Sequence, residues 1–169
     1  MEKKILDVTC GSKTIWFDKN HPAAIYCDKR EEEFELYFGK NYSELRECIV
    51  KPDVVCDFTE LPFQDNSFSL VIFDPPHLTN VGENAWLAKK YGKLGEDWPK
   101  MLHDGFAECM RVLKPDGVLI FKWSEIDIPA GEVWKAIGQK PLFGHHSGKR
   151  MNTFWACFMK LEDIKEVAK

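Results

Sequence analysis

The sequence lacks the cysteine spacing of a metal or redox site. Its six cysteines include no C-x-x-C pair and no Cys/His cluster at the spacing of zinc ligands. Three of them, Cys27, Cys56 and Cys157, lie within apolar runs, where a free cysteine behaves as a small hydrophobic residue. The sequence therefore predicts no metal site and a reduced, cytoplasmic protein.

Long apolar runs and an excess of basic residues are missing as well. No run approaches the ~20 residues of a membrane-spanning helix, and the charged start Glu2-Lys3-Lys4 with its short apolar continuation is unlike a secretory signal. The net charge of −4 means that the molecule as a whole does not attract nucleic acid, although a local basic face stays open. We expect neither a leader segment nor membrane association.

The apolar and aromatic content of the sequence is typical of a folded chain. Of the 169 residues, 44% are apolar and 13% aromatic, which is typical of a globular protein and unlike a disordered one. The length fits one domain, and the sequence contains no internal repeat. We therefore expect a single domain over residues 1–169.

Segments with helical spacing alternate with short apolar runs. Apolar residues recur at helical spacing after Trp98-Pro99, and Lys114-Pro115-Asp116-Gly117 ends that helix. Further helices are expected over 129–137 and, as a short one, over 13–18. Residues 31–38 and 42–50 fit either helices or an irregular excursion.

The apolar runs themselves predict strands. They lie at 5–9, 23–27, 53–56, 70–73, 118–123, 141–146 and 153–159. Strands that alternate with helices indicate βαβ units, and hence an α/β fold with a mostly parallel, twisted sheet of about seven strands. A final pair joined by a short turn makes the last strand antiparallel.

One of these strands ends in an unusual way, at Asp74-Pro75-Pro76-His77. The two prolines have no amide N–H and a fixed φ, so the strand cannot continue its hydrogen bonding past this point. The result is a rigid ledge, residues 74–77, that carries a carboxylate, free carbonyl groups and an imidazole. Ligands bind at the carboxyl ends of strands in open α/β sheets, which makes the ledge the candidate active site.

Acidic residues close the first three predicted strands too. Asp7, Asp28 and Asp57 follow one another along the chain before Asp74. A single Asp at a strand end is readily explained by turn or cap chemistry. Four in succession, each ending a strand of the first half of the chain, instead indicate a shared ligand site.

At these residues the sequence resembles the class I S-adenosylmethionine (SAM)-dependent methyltransferases, which have a three-layer Rossmann-like fold. Residues 6–12 resemble their first motif, Asp28 their ribose-binding acid, and 56–58 their adenine-binding motif. Residues 111–119 are similar to the helix-turn-strand segment that follows the active site. The resemblance implies SAM as the cofactor, bound by Asp7, Thr9, Cys10, Gly11, Lys13, Asp28, Asp57 and Phe58.

Lys13 departs from that pattern, because the family usually has a second glycine at this position. Its side chain would crowd the cofactor, meet the cofactor's carboxylate, or begin a helix and point to water.

The ledge resembles the (Asp/Asn)-Pro-Pro-aromatic motif of methyltransferases that act on exocyclic or amide nitrogens, especially adenine N6. The resemblance implies that Asp74, Pro75, Pro76 and His77 are catalytic. A conjugated amino nitrogen is a poor nucleophile, and hydrogen bonds to the Asp74 carboxylate and the Pro75 carbonyl favour a pyramidal nitrogen with an available lone pair. His77 replaces the usual aromatic residue; it can stack on a base, donate a hydrogen bond, or only cap the following loop.

Two segments are candidates for substrate binding. Trp86, Lys89 and Lys90 lie in a long loop after the ledge, whose composition suits a single-stranded nucleic acid but also an ordinary solvated loop. Lys149 and Arg150 lie at the turn between the last two strands, where a basic side chain can contact phosphate or only solvent. A target base would have to be unpaired or flipped.

The sequence thus predicts a SAM-dependent N-methyltransferase, with adenine in DNA or RNA as the preferred substrate. The alternatives are methylation of a protein amide or a small molecule, and a non-catalytic subunit that binds SAM or nucleic acid. We expect no separate target-recognition domain in this sequence, so specificity would come from the loop or from a partner subunit. A nicotinamide-dependent oxidoreductase fits less well, because no G-x-G-x-x-G follows the first strand.

Overall fold

The computed structural model describes residues 2–38, 44–79, 92–147 and 152–161. Its elements, in chain order, are β1 (Ile5–Asp7), β2 (Ala24–Asp28), β3 (Glu32–Phe38), β4 (Glu44–Val50), β5 (Val54–Val55), β6 (Phe68–Phe73), α1 (Trp98–Val112), β7 (Leu113–Ser124), α2 (Ala130–Ile137), β8 (Phe143–Ser147) and β9 (Thr153–Met159).

Seven of these strands form one sheet in the order β5-β2-β1-β6-β7-β9-β8. Neighbouring strands from β5 to β7 are parallel, and β9 runs antiparallel to both β7 and β8. The predicted α/β class, the strand number and the antiparallel last strand are confirmed. The parallel half places the carboxyl ends of β5, β2, β1 and β6 at one edge of the sheet, which is where the predicted acids lie.

Both described helices pack on the same face of the sheet. α1 presents Leu102, Phe106 and Cys109, at helical spacing, to the buried core. The core residues of the central strands, such as Phe73 and Phe121, are fully buried there. α2 ends at Gly138, whose φ of 73° is the left-handed conformation typical of a helix terminus. Within the described residues, no helix is long and apolar enough to span a membrane.

The opposite face of β1 and β2 is covered by turns. Trp16 packs edge-on against Tyr26, with ring centroids 4.9 Å apart. The helix expected over 13–18 does not form. At Lys13 the φ of 54° is left-handed and incompatible with an α-helix, so no helix begins at this residue.

The segment between β2 and β5 also differs from expectation. Where helices or an irregular excursion were expected over 31–38 and 42–50, β3 and β4 pair as an antiparallel hairpin, with Phe34 opposite Cys48. The many glutamates of this segment favour helix by propensity. Cross-strand pairing and burial of Cys48 and Val50 on one face override that preference.

One backbone hydrogen bond joins the segment that leaves the ledge to the segment that precedes α1. Leu94 N donates to Leu78 O at 2.9 Å. Both leucines are almost completely buried. This clamp, formed by Leu78 and Leu94, fixes the start and the end of the connection that follows the ledge.

Candidate active site

A cavity of about 340 Å³ opens at the carboxyl ends of the parallel strands. Ten of the residues predicted for cofactor binding or catalysis line it: Thr9, Cys10, Gly11, Asp28, Asp57, Phe58, Asp74, Pro75, Pro76 and His77. The structure therefore brings the end of β1, the end of β2, the segment after β5 and the ledge into one site. Asp7 and Lys13 are not among the lining residues.

The turn after β1 is shaped by Gly11 and anchored by Asp28. Gly11 has a φ of 48°, which a glycine adopts without strain. Its N–H donates to Asp28 Oδ2 at 2.9 Å. Asp28 Oδ1 accepts from Arg30 N at 3.0 Å and from Arg30 Nε at 3.2 Å. The carboxylate thus joins β1 to β2 and retains acceptor capacity at Oδ2.

Asp7 lies beneath this turn and supports it. Its Oδ2 accepts from Trp16 Nε1 at 2.7 Å, and its Oδ1 accepts from Thr9 N at 3.3 Å. Burial raises the pKa of Asp7 to about 7, against these two hydrogen bonds. Asp7 therefore fixes the path of the cavity wall from outside the cavity.

Lys13 does not begin a helix, and the two expected contacts with a cofactor stay predictions. Its ammonium lies 4.0 Å from the centroid of the Tyr26 ring, the geometry of a cation–π contact. The side chain is directed along the face that carries Tyr26 and Trp16. It is half-buried and begins no helix.

Asp57 and Phe58 form the wall beyond β5. Asp57 Oδ1 accepts from Thr59 N at 3.0 Å, and Oδ2 accepts from Lys29 Nζ at 2.9 Å. Burial acts to raise the pKa of Asp57, but these hydrogen bonds outweigh it and hold the pKa below its ordinary value. Phe58 packs edge-on against Phe73, with centroids 5.2 Å apart.

The space for the Phe58 ring exists because α1 carries a glycine at that point. A Cβ built on Gly105 would lie 2.4 Å from Phe58 Cδ2. No side chain other than hydrogen fits there without moving the ring.

The ledge is held from two neighbouring strands. Asp74 N donates to Thr9 Oγ1 at 2.9 Å, which joins the ledge to the end of β1. Lys122 Nζ, from β7, donates to Asp74 Oδ2 at 2.5 Å. Burial raises the pKa of Asp74 above its ordinary value, and the Lys122 ammonium opposes that rise. The ion pair therefore favours the ionised carboxylate that can accept hydrogen bonds.

His77 lies at the far end of the ledge, against the core. Its ring meets Trp123 edge-on, with centroids 6.3 Å apart. Burial lowers the pKa of His77, and the Asp74 carboxylate opposes that effect. The neutral imidazole is therefore favoured at pH 7. The residue after the clamp leucine, Thr79, is fixed by Asp127, whose Oδ2 accepts from Thr79 N at 2.7 Å.

Sequence reasoning missed Lys122, the partner of Asp74, and Arg30, the partner of Asp28. Lys122 carried a usable signal: it interrupts the apolar run of β7, and a lysine in such a strand needs a charged partner. Arg30 follows Asp28 by two residues, and its pairing depends on the turn that ends β2. Nothing in the sequence pattern specified that turn.

The predicted substrate-binding residues fall outside the described part of the chain. These are Trp86, Lys89, Lys90, Lys149 and Arg150. Among the described residues that line the cavity, Lys29, Arg30 and Lys93 add positive charge. The described residues contain no group of three or more His, Cys, Asp or Glu side chains placed to hold a metal ion.

Comparison with known proteins gives the fold. The sequence matches no protein-family model and no curated protein. The structure is similar to a protein of Pyrococcus horikoshii OT3 at 16% identity and a TM-score of 0.56, covering 96% of this chain and 83% of that one.

Two further similar structures bear the names of methyltransferases. The N-methyltransferase NodS of Bradyrhizobium japonicum WM9 is 10% identical, with a TM-score of 0.56 and coverage of 95% and 86%. The 1,6-didemethyltoxoflavin-N1-methyltransferase of Burkholderia thailandensis, solved with its substrate and S-adenosylhomocysteine, is 13% identical, with a TM-score of 0.51 and coverage of 95% and 72%. The chain thus has the Rossmann-like fold of SAM-dependent methyltransferases, and its candidate site lies at the strand ends of that fold.

Proposed function

We propose that this protein is a SAM-dependent N-methyltransferase that acts on the exocyclic amino nitrogen of adenine in unpaired DNA or RNA. The observation that carries the proposal is the single cavity in which the turn after β1, Asp28 and Asp57 lie beside the ledge at Asp74. Cofactor and amino acceptor would bind next to each other in that arrangement.

The residues of the cavity fit the proposed cofactor. Asp28 retains acceptor capacity for ribose hydroxyl groups at Oδ2, and the ionised Asp57 can accept from an adenine amino group. Phe58 would offer an apolar surface to the adenine ring, and the Gly11 turn would hold the methionine part. When bound, SAM supplies an electrophilic methyl group on a positively charged sulfur.

The ledge supplies orientation for the acceptor nitrogen. One N–H would donate to the Asp74 carboxylate and the other to the Pro75 carbonyl, and both acceptors are fixed before binding. Asp74 is fixed by Thr9 and Lys122, and the two prolines fix the backbone. The His77 ring would contact the base that carries the amino group.

Nucleic acid is the preferred acceptor because of the ledge motif, with support from charge. Lys93 is exposed at the cavity wall, where it can contact a phosphate. Trp86, Lys89, Lys90, Lys149 and Arg150 are proposed to extend this contact. Sequence preference would then come from these segments or from a partner subunit.

A free heteroaromatic amine is the second candidate. Two proteins of the same fold bear the names of N-methyltransferases, and one of them acts on 1,6-didemethyltoxoflavin, a small molecule. The same cavity would then enclose the whole acceptor, without contacts to a nucleic-acid backbone.

Calorimetric titration with SAM and with S-adenosylhomocysteine tests the cofactor. We expect both to bind, and binding of neither would refute the proposal. Transfer of a radiolabelled methyl group to separate pools of single-stranded DNA, duplex DNA, RNA, protein and heteroaromatic amines then tests the acceptor. Label in the single-stranded nucleic acids is expected, whereas label confined to small amines would establish the second candidate.

A further inference from the structure

Lys122 is placed beside Asp74 by the sheet itself. β6 and β7 are parallel, with Phe73 opposite Phe121. The next residue on each strand is therefore Asp74 and Lys122, whose side chains lie on the face opposite the helices. Each is 23% exposed. The pair is therefore half-buried and only partly screened by water.

The Lys122 ammonium is also held from its other side. β9 places Trp155 directly opposite Lys122. The ammonium lies 5.8 Å from the centroid of the Trp155 ring, within the range of a cation–π contact. Lys122 thus lies between an acid and an indole, and neither contact requires a bound ligand.

This arrangement leaves one oxygen of Asp74 open. Oδ2 accepts from Lys122, while the backbone N–H of Asp74 donates to Thr9. Within the described part of the chain, Oδ1 has no hydrogen-bond partner. Asp74 therefore presents Oδ1 to a ligand as an acceptor that no described group uses.

The charge of the Asp74–Lys122 pair restricts which group can bind there as the methyl acceptor. Asp74 and Lys122 together are electroneutral, so the site offers little attraction to a protonated alkylamine. A conjugated amino group is neutral at pH 7 and can donate an N–H to Oδ1. The Lys122 ammonium has three donors and uses one of them on Asp74, so it can also donate to an acceptor atom beside that amino group.

We propose that Lys122 and Asp74 together recognise an amino group that is conjugated to a neighbouring hydrogen-bond acceptor, as in an aminopurine, and discriminate against alkylammonium groups. Asp74 Oδ1 accepts from the amino group and Lys122 Nζ donates to the adjacent ring nitrogen. Lys122 is thus a specificity-determining residue. This inference rests on the proposed N-methyltransferase function.

The effect of Lys122 on the pKa of Asp74 can be measured without any substrate. The carboxyl carbon of Asp74 is followed by NMR against pH in the wild type, Lys122→Met, Lys122→Arg and the control Lys135→Met. Lys135 pairs with Glu132 on the exposed side of α2, away from the cavity. The pKa of Asp74 should be higher in Lys122→Met, restored in Lys122→Arg and unchanged in the control. An unchanged Asp74 pKa in Lys122→Met would overturn the proposal.

Recognition of the acceptor needs a matched pair of substrates. Single-stranded oligonucleotides carry either one adenine or one 1-deazaadenine, which has C–H in place of the ring nitrogen beside the amino group. The wild type should prefer adenine by about tenfold or more in kcat/KM, the effect of one charge-assisted hydrogen bond. Lys122→Met should lose that preference and retain its affinity for SAM.

Two results would contradict this assignment. Equal rates on the two oligonucleotides in the wild type would exclude contact with the ring nitrogen. Methylation of a lysine-containing peptide as fast as adenine would exclude the discrimination by charge. Failure to bind SAM would refute the proposed function, and the NMR titration would still show separately whether Lys122 controls Asp74.

Discussion

The acids in the two halves of the cavity are held by partners that lie at different distances along the chain. In the half proposed for the cofactor, Asp57 is held by Thr59 and Lys29, which are 2 and 28 residues away. Asp28 is held by Arg30 and Gly11, which are 2 and 17 residues away. In the ledge half, Asp74 is held by Thr9 and Lys122, which are 65 and 48 residues away. The first half thus combines contacts within a turn with contacts between neighbouring segments. The second exists only once the sheet has formed.

Asp74→Ala should have the largest effect, because it should lower methyl transfer without changing the affinity for SAM. Removing the carboxylate removes the acceptor for the amino N–H, and we expect methyl transfer to fall by about a hundredfold to a thousandfold. The calorimetric affinity for SAM should stay within about twofold of the wild type, because Asp74 lies outside the cofactor half. Transfer at the wild-type rate would show that the ledge is not the catalytic site.

Asp28→Ala is the converse change. It removes the proposed ribose acceptor and releases the Gly11 turn, so the affinity for SAM should fall by about tenfold to a hundredfold. Activity should return in part at saturating SAM, as a KM effect. The control is Asp65→Ala, because Asp65 is exposed and pairs with Arg111 outside the cavity. Equal SAM affinity in Asp28→Ala and this control would contradict the ribose assignment.

Gly105→Ala tests the apolar wall that lies between the halves. The new Cβ would lie 2.4 Å from Phe58, so we expect the free energy of unfolding to fall by about 1–3 kcal/mol and SAM binding to weaken. Urea denaturation and calorimetry measure the two effects.

Gly131→Ala is the matched control in α2, because a Cβ there has no heavy atom within 4 Å. It should be neutral or stabilise by up to about 1 kcal/mol. If both variants changed stability alike, contact with Phe58 would not be the reason for the glycine at 105.

The last comparison concerns Asp7, which supports the cofactor half from below. Its pKa is about 7 in the folded protein and 3.8 as the ordinary value. Between these values the folded state keeps a proton that the unfolded state has released, so the free energy of unfolding falls as pH rises. The slope due to Asp7 is at most about 1.4 kcal/mol per pH unit.

Thermal or urea unfolding of Asp7→Asn between pH 4 and 8 measures this contribution. The variant should show a flatter dependence on pH than the wild type over this range. An identical dependence in both proteins would mean that Asp7 is ionised in the folded state throughout.

The difference in distance also explains which features were predictable. The acids and the ledge could be read because each follows an apolar run and ends a strand. The hairpin of β3 and β4 could not, since its glutamates favour a helix and only pairing between the strands overrides them. The helix predicted to begin at Lys13 was wrong for a local reason. The backbone at Lys13 is left-handed, and the identity of the residue does not indicate that conformation.

Lys122 shows the general limit of such reasoning. Its partner is 48 residues away, and the register of β6 on β7 decides which side chain of β7 meets Asp74. A shift of one residue would present Phe121 or Trp123 instead. A lone charge in an apolar strand indicates that a partner exists, without identifying it.

The clamp between Leu78 and Leu94 has a consequence for how this scaffold can change. Because the two ends of the connection are joined by one backbone hydrogen bond and are both buried, we expect a change of length between them to disturb the ledge little. Doubling the length of a flexible insert there costs only about 0.6 kcal/mol of closure entropy. The position is therefore a natural exchange point, at which a lineage or an engineer can replace one segment with another while the proposed catalytic carboxylate stays where it is.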